Sequence, residues 1–278
     1  MKPQNILVPL DFSNCSKNAL KIAIGLARNN HATLYLLNAI HIATPYVDVT
    51  GGHSLVEPVI EDYEKRVEKE FDTLIKEFIL LRDVDYVIKK YVCTVSDAIE
   101  MCLKEEKIDI IIMGTKGSHS TLEKFIGGVS ADVISQVNVP VLLIPENISS
   151  LQANRIGFAA DFENMEDLGK LEPLIYFAQL TKAEIQIFNV TENVGDISFE
   201  KSRQSLKISN YLKDVDHTFH TIEDQKVVHG IFDFIKDHNL DMMAMYPRKH
   251  GFLERLLSDS VTKKIAMSVH IPLLSIHE

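Results

Sequence analysis

The sequence predicts an α/β protein in which helices cover parallel sheets, built from two similar halves. Short apolar segments alternate with amphipathic ones along the chain, and this strand–helix alternation is typical of a parallel sheet. The second half then repeats the apolar segments of the first half in the same order, as duplicated domains do. With 278 residues, 46% hydrophobic and 24% charged, the chain has the length and composition of two ordinary globular domains.

Each element of the first half follows from its local pattern. Apolar runs without polar interruption predict strands buried on both faces, and apolar residues recurring at three and four predict amphipathic helices. The predicted strands are Asn5–Pro9, Thr33–Ile40, Val84–Thr94, Asp109–Met113 and Pro140–Pro145. Gly114 stops the apolar run of the fourth strand. Four helices are predicted. The first starts at a Ser13 or Asn14 cap, and the third runs from a Ser96-Asp97 cap to about Glu106. The second and the fourth span Val56–Leu81 and Val129–Val137.

Four apolar segments of the second half repeat segments of the first. The pairs are Ile6–Phe12 with Ile156–Phe162, Leu34–Ala39 with Ile185–Val190, Asp109–Met113 with Asp241–Met245, and Val139–Leu143 with Ile271–Ser275. Asn38 and Asn189 fall in step within the second pair. A short polar stretch, 146–154, joins the halves, so we predict two domains, residues 1–147 and 153–278.

Glycines punctuate the segment between the strand Asp109–Met113 and the next helix. Gly114, Gly117 and Gly127 have the spacing Gly-x2-Gly-x9-Gly, and Gly128 follows them. Glycine lets a backbone approach a ligand closely, and the start of a helix offers free N–H groups to an anion. This spacing resembles the nucleotide loop of the universal stress protein family, in which Ser or Thr usually stands where this chain has Gly128.

The resemblance extends over nearly the whole chain and implies a fold and a ligand. It implies two tandem Rossmann-like (adenine nucleotide alpha hydrolase-like) domains, each a five-stranded parallel sheet with helices on both faces. The last strands, Pro140–Pro145 and Pro272–His277, would pair in an intramolecular pseudo-dimer, with a homodimer as a further option. The ligand would be ATP or a related adenine nucleotide, with Mg²⁺ as a potential companion.

Ten residues match the family's nucleotide-binding positions. They are Pro9, Asp11, Ala39, Met113, Gly114, Gly117, Gly127, Gly128, Val129 and Ser130. Asp11 would accept hydrogen bonds from a ribose or an adenine amino group, the glycines would let the loop cross the ribose and phosphates, and residues 127–130 would cradle the phosphates. Two of these residues have an alternative interpretation, since Asp11 would also serve as a helix cap and Met113 as a core residue.

The second half has lost the glycines of this loop. Tyr246, Lys249 and Asp259 stand where the first half has Gly114, Gly117 and Gly127, and Pro247 removes one N–H. Side chains at these positions block close backbone approach, and Asp259 adds a negative charge. We therefore expect nucleotide in the first domain only.

Several other classes of protein are disfavoured by the sequence. It contains no Walker A run, no dinucleotide-binding glycine pattern and no metal-ligand motif beyond His217 and His220 on one presumed strand. No catalytic residue or metal ligand is assigned. The net charge of −10 disfavours nucleic acid as a partner. No apolar stretch long enough for a membrane span and no secretory signal is seen, so we expect a cytoplasmic protein.

The expected function is that of a universal stress protein-like regulator that binds ATP in its first domain and acts through an unidentified protein partner in stress response. One alternative is an interaction module that has lost its nucleotide, given Gly128 and the altered second loop. Another is a slow ATPase, although no general base is evident. The protein is thus expected to be a regulator rather than an enzyme, with that question left open.

Overall fold

The computed structural model describes residues 2–40, 56–115, 128–160, 167–191, 199–225, 227–246 and 270–277. The chain divides into two compact units, residues 3–113 and residues 114–278, the latter with the first two residues. This division falls inside the first predicted domain. The domain limits 1–147 and 153–278 therefore stay a prediction.

The unit of residues 3–113 is a parallel sheet with helices. Its strands are β1 (Asn5–Pro9), β2 (Thr33–Ala39), β3 (Tyr86–Tyr91) and β4 (Ile110–Thr115), the last of which extends beyond the unit by two residues. Their order is β3-β2-β1-β4, and all pairs are parallel. The helices are α1 (Asn14–Asn30), α2 (Val56–Glu77), a 3-10 helix (Ile79–Asp83) and α3 (Val95–Glu105). The alternation predicted from the sequence is confirmed.

The unit of residues 114–278 contains six more strands of the described sheet. Its strands are β5 (Val141–Pro145), β6 (Arg155–Ala159), β7 (Glu184–Thr191), β8 (His217–Glu223), β9 (Met242–Met245) and β10 (Leu273–Ser275). Its helices are α4 (Gly128–Gln136), a 3-10 helix (Leu168–Leu171), α5 (Glu172–Thr181), α6 (Phe199–Tyr211) and α7 (Val227–Asp237). The order is β5-β10-β9-β6-β7-β8. Strands β6 to β10 are parallel, whereas β5 and β10 pair antiparallel, which is the last-strand pairing expected from the family resemblance.

Equivalent side chains secure equivalent strands in the two halves. The Asp109 carboxylate accepts the two main-chain N–H groups at the start of β1, and Asp241 does the same for β6. The donors are Gln4 and Asn5 at 2.8 and 2.9 Å in the first half, and Asn154 and Arg155 at 2.7 and 3.1 Å in the second. The repeat seen in the sequence is therefore a repeat of contacts as well as of hydrophobic pattern.

Several predicted element limits are wrong; the helix predicted over Val56–Leu81, for example, ends at Glu77. Two further differences have a clear physical reason. Strand β4 does not end at Gly114 but continues to Thr115, because glycine accommodates extended backbone as readily as a turn. The cap of α3 is Thr94 instead of Ser96-Asp97, since the Thr94 hydroxyl accepts the Asp97 N–H at 3.2 Å and donates to the Asp97 carboxylate at 2.7 Å. None of the helices in the described part of the chain is both long and apolar enough to cross a bilayer.

Candidate functional site

The carboxyl ends of β1, β2 and β4 bring four of the predicted site residues to one edge of the first sheet. Pro9 pairs with Leu37 across β1 and β2, and the register of β1 with β4 places Met113 level with Pro9. Asp11 and Ala39 each lie two residues beyond the Pro9–Leu37 pair. Open parallel sheets bind their ligands at this edge.

The Asp11 carboxylate is held by the first residues of the α1 turn. Its Oδ1 accepts the Ser13 N–H at 3.0 Å and the Ser13 hydroxyl at 2.5 Å. Ser13 itself is the helix cap, because its Oγ accepts the Ser16 N–H at 3.3 Å. Asp11 therefore holds the capping residue by hydrogen bonds but is not the cap itself. Its carboxylate at the strand end is available for another role.

These contacts also determine the charge of Asp11. Partial burial of the carboxylate by itself raises its pKa, but the hydrogen bonds from Ser13 and Ser16 lower it by more, so that the net pKa lies below its ordinary value. The carboxylate is therefore ionised at neutral pH and accepts hydrogen bonds only. The residue remains exposed and accessible to a donor such as a hydroxyl or an amino group.

The residue after Asp11 has an unusual backbone conformation. Phe12 has φ 61°, in the left-handed region that costs a residue with a bulky side chain of the order of 1–3 kcal/mol. Its ring packs edge-on against Phe71 of α2, with centroids 5.0 Å apart, and Phe71 is itself buried. This packing and the Ser13 cap offset the strain, and together they fix the direction in which Asp11 leaves β1.

A buried polar atom lies beside this turn. Asn38, which is 6% exposed, donates its Nδ2–H to the Leu10 carbonyl at 2.7 Å, whereas its Oδ1 has no hydrogen-bond partner among the described residues. The equivalent Asn189 of β7 makes the same bond to the Ala160 carbonyl at 3.0 Å but is only half-buried. An orphaned buried acceptor costs about 1–3 kcal/mol and calls for a water or a ligand.

A second such atom occurs at the end of β4. Thr115 is 7% exposed, and its Oγ1 also lacks a hydrogen-bond partner within the ranges that the structure describes. Sequence reasoning did not identify Asn38 or Thr115 as site residues. The only available signal was the alignment of Asn38 with Asn189, which by itself indicates a structural role.

The remaining predicted residues belong to the glycine loop. Gly114 is a half-buried residue of β4, whereas Gly117 and Gly127 lie outside the described residues. Gly128 is the first residue of α4, followed by the exposed Val129 and the buried Ser130. Gly128, Val129 and Ser130, which the family resemblance assigns to phosphate, thus lie at the described beginning of α4.

The equivalent point of the second half differs. Strand β9 ends at Met245 and Tyr246 follows it, whereas β4 continues through Gly114 to Thr115. Lys249, Pro247 and Asp259 lie outside the described residues.

The two histidines considered as metal ligands do not meet. His217 and His220 are three residues apart on β8, so their side chains lie on opposite faces of the strand. The Nε2 of His217 lies 2.9 Å from the Ser209 hydroxyl, and the Nε2 of His220 lies 2.7 Å from the Gln186 Oε1. The idea of a joint His217–His220 metal site is wrong.

Comparison with known proteins finds universal stress proteins among similar sequences and similar structures. Universal stress protein MJ0577 of Methanocaldococcus jannaschii is 27% identical over 155 residues, which is 51% of this chain and 94% of that protein. A universal stress protein from Archaeoglobus fulgidus superposes over 100% of this chain and 99% of its own, with TM-score 0.74 and 17% identity. A universal stress protein solved in complex with cAMP matches 52% of this chain and 98% of its own, with TM-score 0.40 and 18% identity.

A family model provides the assignment. The model of the Universal stress protein family matches residues 2–145 and again residues 177–277. These two segments cover most of the chain and correspond to the two halves that repeat one another in sequence and in contacts. The chain therefore belongs to the universal stress protein family and carries two copies of the family's domain in tandem.

Proposed function

We propose that the first half binds an adenine nucleotide, namely ATP, at the carboxyl ends of β1, β2 and β4, and that the bound nucleotide regulates partner binding in stress response. The observation that carries the proposal is Asp11. It is an ionised, accessible carboxylate fixed at the end of β1 by Ser13, beside the strained Phe12 and the Leu10 carbonyl that Asn38 holds.

The residues present fit a nucleoside at this edge. A ribose or an adenine amino group supplies the hydrogen-bond donors that the Asp11 carboxylate can accept. Pro9 and Met113 are buried, and Ala39 is small, so they would present an apolar surface suited to a base. The Asn38 Oδ1, which has no partner among the described residues, adds an acceptor that requires a donor from a water or a ligand.

The phosphates would be held by the glycine loop, as the family resemblance implies. Gly114, Gly117 and Gly127 would allow the main chain to approach them, and the first N–H groups of α4 would donate to them. Mg²⁺ would neutralise phosphate charge when it accompanies the nucleotide. The second half, with Tyr246, Lys249 and Asp259 in place of these glycines, would bind no nucleotide in this manner.

The test is a calorimetric titration with ATP of the full-length protein and two matched variants. We expect one equivalent per chain and a loss of affinity of about tenfold to a hundredfold in Asp11→Ala, the equivalent of removing a hydrogen bond to a charged group. The same change at Asp161, which aligns with Asp11 in the repeat, should leave the affinity unchanged.

Two further measurements make the titration specific. Adenosine should lose affinity by the same factor as ATP in Asp11→Ala, because Asp11 would contact the nucleoside and not the phosphates. Thermal unfolding without ligand should show that Asp11→Ala is folded. Binding of two equivalents, or equal effects of Asp11→Ala and Asp161→Ala, would refute the proposed site.

A further inference from the structure

A cleft of about 360 Å³ lies in the second half between the end of β8 and helix α7. Aromatic rings form one side of it. The Phe234 ring stacks on His238 with centroids 3.9 Å apart and lies 5.1 Å from the ring of His220. The volume lies near the lower end of the range of about 300–1,000 Å³ found for small-molecule sites.

The charged groups around the cleft are acidic. Glu223, Asp233 and Asp237 line it and are exposed, and none of the described lining residues is Lys or Arg. Burial, with a smaller contribution from His238, lowers the pKa of His220 below its ordinary value. The His220 imidazole is therefore neutral at pH 7 and offers the cleft no compensating positive charge.

The equivalent position in the first half shows which side chain the repeated domain has in place of His220. His220 pairs with Phe188 in the same register in which Lys89 pairs with Leu37, so Lys89 is the equivalent of His220. Asp109 is equivalent to Asp241 in the repeat. The residues at the same distance before each of them are also equivalent, so Glu105 corresponds to Asp237 and Glu106 to His238.

In the first half this position holds an ammonium group. The Lys89 Nζ lies 3.1 Å from the Glu105 carboxylate and 2.7 Å from the Glu106 carboxylate, and its side chain is 19% exposed. The second half keeps one of the two carboxylates, as Asp237, and adds Asp233 and Glu223 at the cleft. It has lost the lysine, because the shorter and neutral His220 stands in its place.

We propose that this cleft binds the primary ammonium group of a small-molecule amine, which takes the position that the Lys89 ammonium occupies in the first half. Asp237 would pair with the ammonium as Glu105 does with Lys89. The Phe234 ring, where the first half has Cys102, is buried and stacks with Phe188 and His238 at centroid distances of 4.2 and 3.9 Å. It would therefore form an apolar wall against the methylene groups of the amine. Asp237 and Glu223 both line the cleft and favour a diamine over a monoamine, since each of the two ammonium groups finds a carboxylate.

A neighbouring group offers a competing ligand class. The ligand atoms of Asp224, His229 and Asp233 lie within 4.8 Å of one another. However, His229 Nδ1 lies 2.8 Å from Asp224 and 3.2 Å from Asp233, so these residues satisfy one another. A divalent cation is therefore treated as an outcome of the test.

Calorimetric titration with putrescine, a four-carbon diamine, at fixed ionic strength and without nucleotide tests the proposal. We expect one equivalent to bind per chain and 1,4-butanediol, which has the same length without charge, not to bind. Asp237→Asn keeps the shape of the side chain and should weaken binding at least tenfold. Asp214→Asn removes an exposed charge of the same half away from the cleft and should leave the affinity unchanged.

A second variant supplies the missing lysine. His220→Lys places an ammonium beside Asp237, as in the first half, and should abolish putrescine binding while the melting temperature shows a folded protein. Binding that survives both Asp237→Asn and His220→Lys would overturn the proposal, as would equal weakening by Asp214→Asn. Displacement of putrescine by MgCl2 at matched ionic strength would assign the site to a metal ion. Binding of N-acetyl-lysinamide but not of putrescine would assign it to a protein side chain and overturn the small-molecule assignment.

Discussion

The buried His277 makes the stability of the second half depend on pH. His277 follows β10 and is 8% exposed, and its Nε2 lies 3.4 Å from the hydroxyl of the buried Ser275. Burial, with a smaller contribution from the charge of Lys170, lowers the pKa of His277 to about 4 from an ordinary value of 6.5. The neighbouring Ile276 donates its N–H to the Met245 carbonyl at 2.8 Å, so protonation of His277 would disturb the attachment of β10 to β9.

The sign of the effect follows from which state binds the proton first. The unfolded chain takes up a proton at His277 near pH 6.5, whereas the folded protein does so only near pH 4. Acidification through this interval therefore favours the unfolded state, and the stability present above pH 6.5 is lost as the pH falls toward 4. A separation of about 2.5 between the two pKa values corresponds to about 3 kcal/mol.

Urea unfolding at pH 7.5 and pH 4.5 measures this contribution. The wild-type protein should lose about 2–3 kcal/mol more between the two pH values than His277→Gln, which cannot titrate. His270→Gln, at an exposed histidine of the same C-terminal segment, is the matched control for the removal of an imidazole. Equal losses in the wild type and in His277→Gln would show that this histidine does not sense pH, and the reasoning from its burial would be refuted.

Two further predictions concern glycines. Gly128→Ser should tighten ATP about fivefold to tenfold and adenosine less, because it restores a hydroxyl at the presumed phosphates. Gly128 is a residue of α4; a loss of affinity in Gly128→Ser, or an equal gain for both ligands in calorimetry, would contradict this role. Gly157→Ala should cost about 1–3 kcal/mol in urea unfolding, because its Cβ would collide with Leu240 and approach the Met243 sulfur to 3.1 Å. Gly25→Ala, in open space on α1, should raise the free energy of unfolding by about 1 kcal/mol. Equal changes in Gly25→Ala and Gly157→Ala would show that packing around Gly157 does not determine the cost.

The sequence predicts strands best where both faces are buried. Strand β1 spans Asn5–Pro9 as predicted, and β2 ends at Ala39, one residue before the predicted end. A strand buried on both faces must be apolar throughout, so its limits coincide with the limits of the apolar run. The edge strand β3 has only intermediate and exposed residues and is shorter at both ends than predicted, since exposed strand ends carry a weaker signal.

The parts of the candidate site that the sequence missed depend on side-chain contacts between distant segments. Asn38 became a candidate only because its Nδ2 bonds Leu10, 28 residues away, while its Oδ1 stays without a partner in the described residues. In the same way, the amine cleft depends on the packing of β8 against α7. A pattern of hydrophobicity specifies which faces are buried, but it does not specify which polar atoms remain unpaired once they are buried.

The duplicated fold separates structural residues from functional ones within a single chain. Residues that hold the strands are the same in both halves, as Asp109 matches Asp241 and Asn38 matches Asn189 in both position and hydrogen bonds. Residues around the two proposed ligands differ between the halves. The first half has the loop glycines, and its Lys89 pairs with Glu105 and Glu106. The second half has other residues in place of those glycines and the neutral His220 in place of that lysine. The two proposals together assign one ligand to each half, a phosphate-bearing nucleotide to the first and an organic cation to the second.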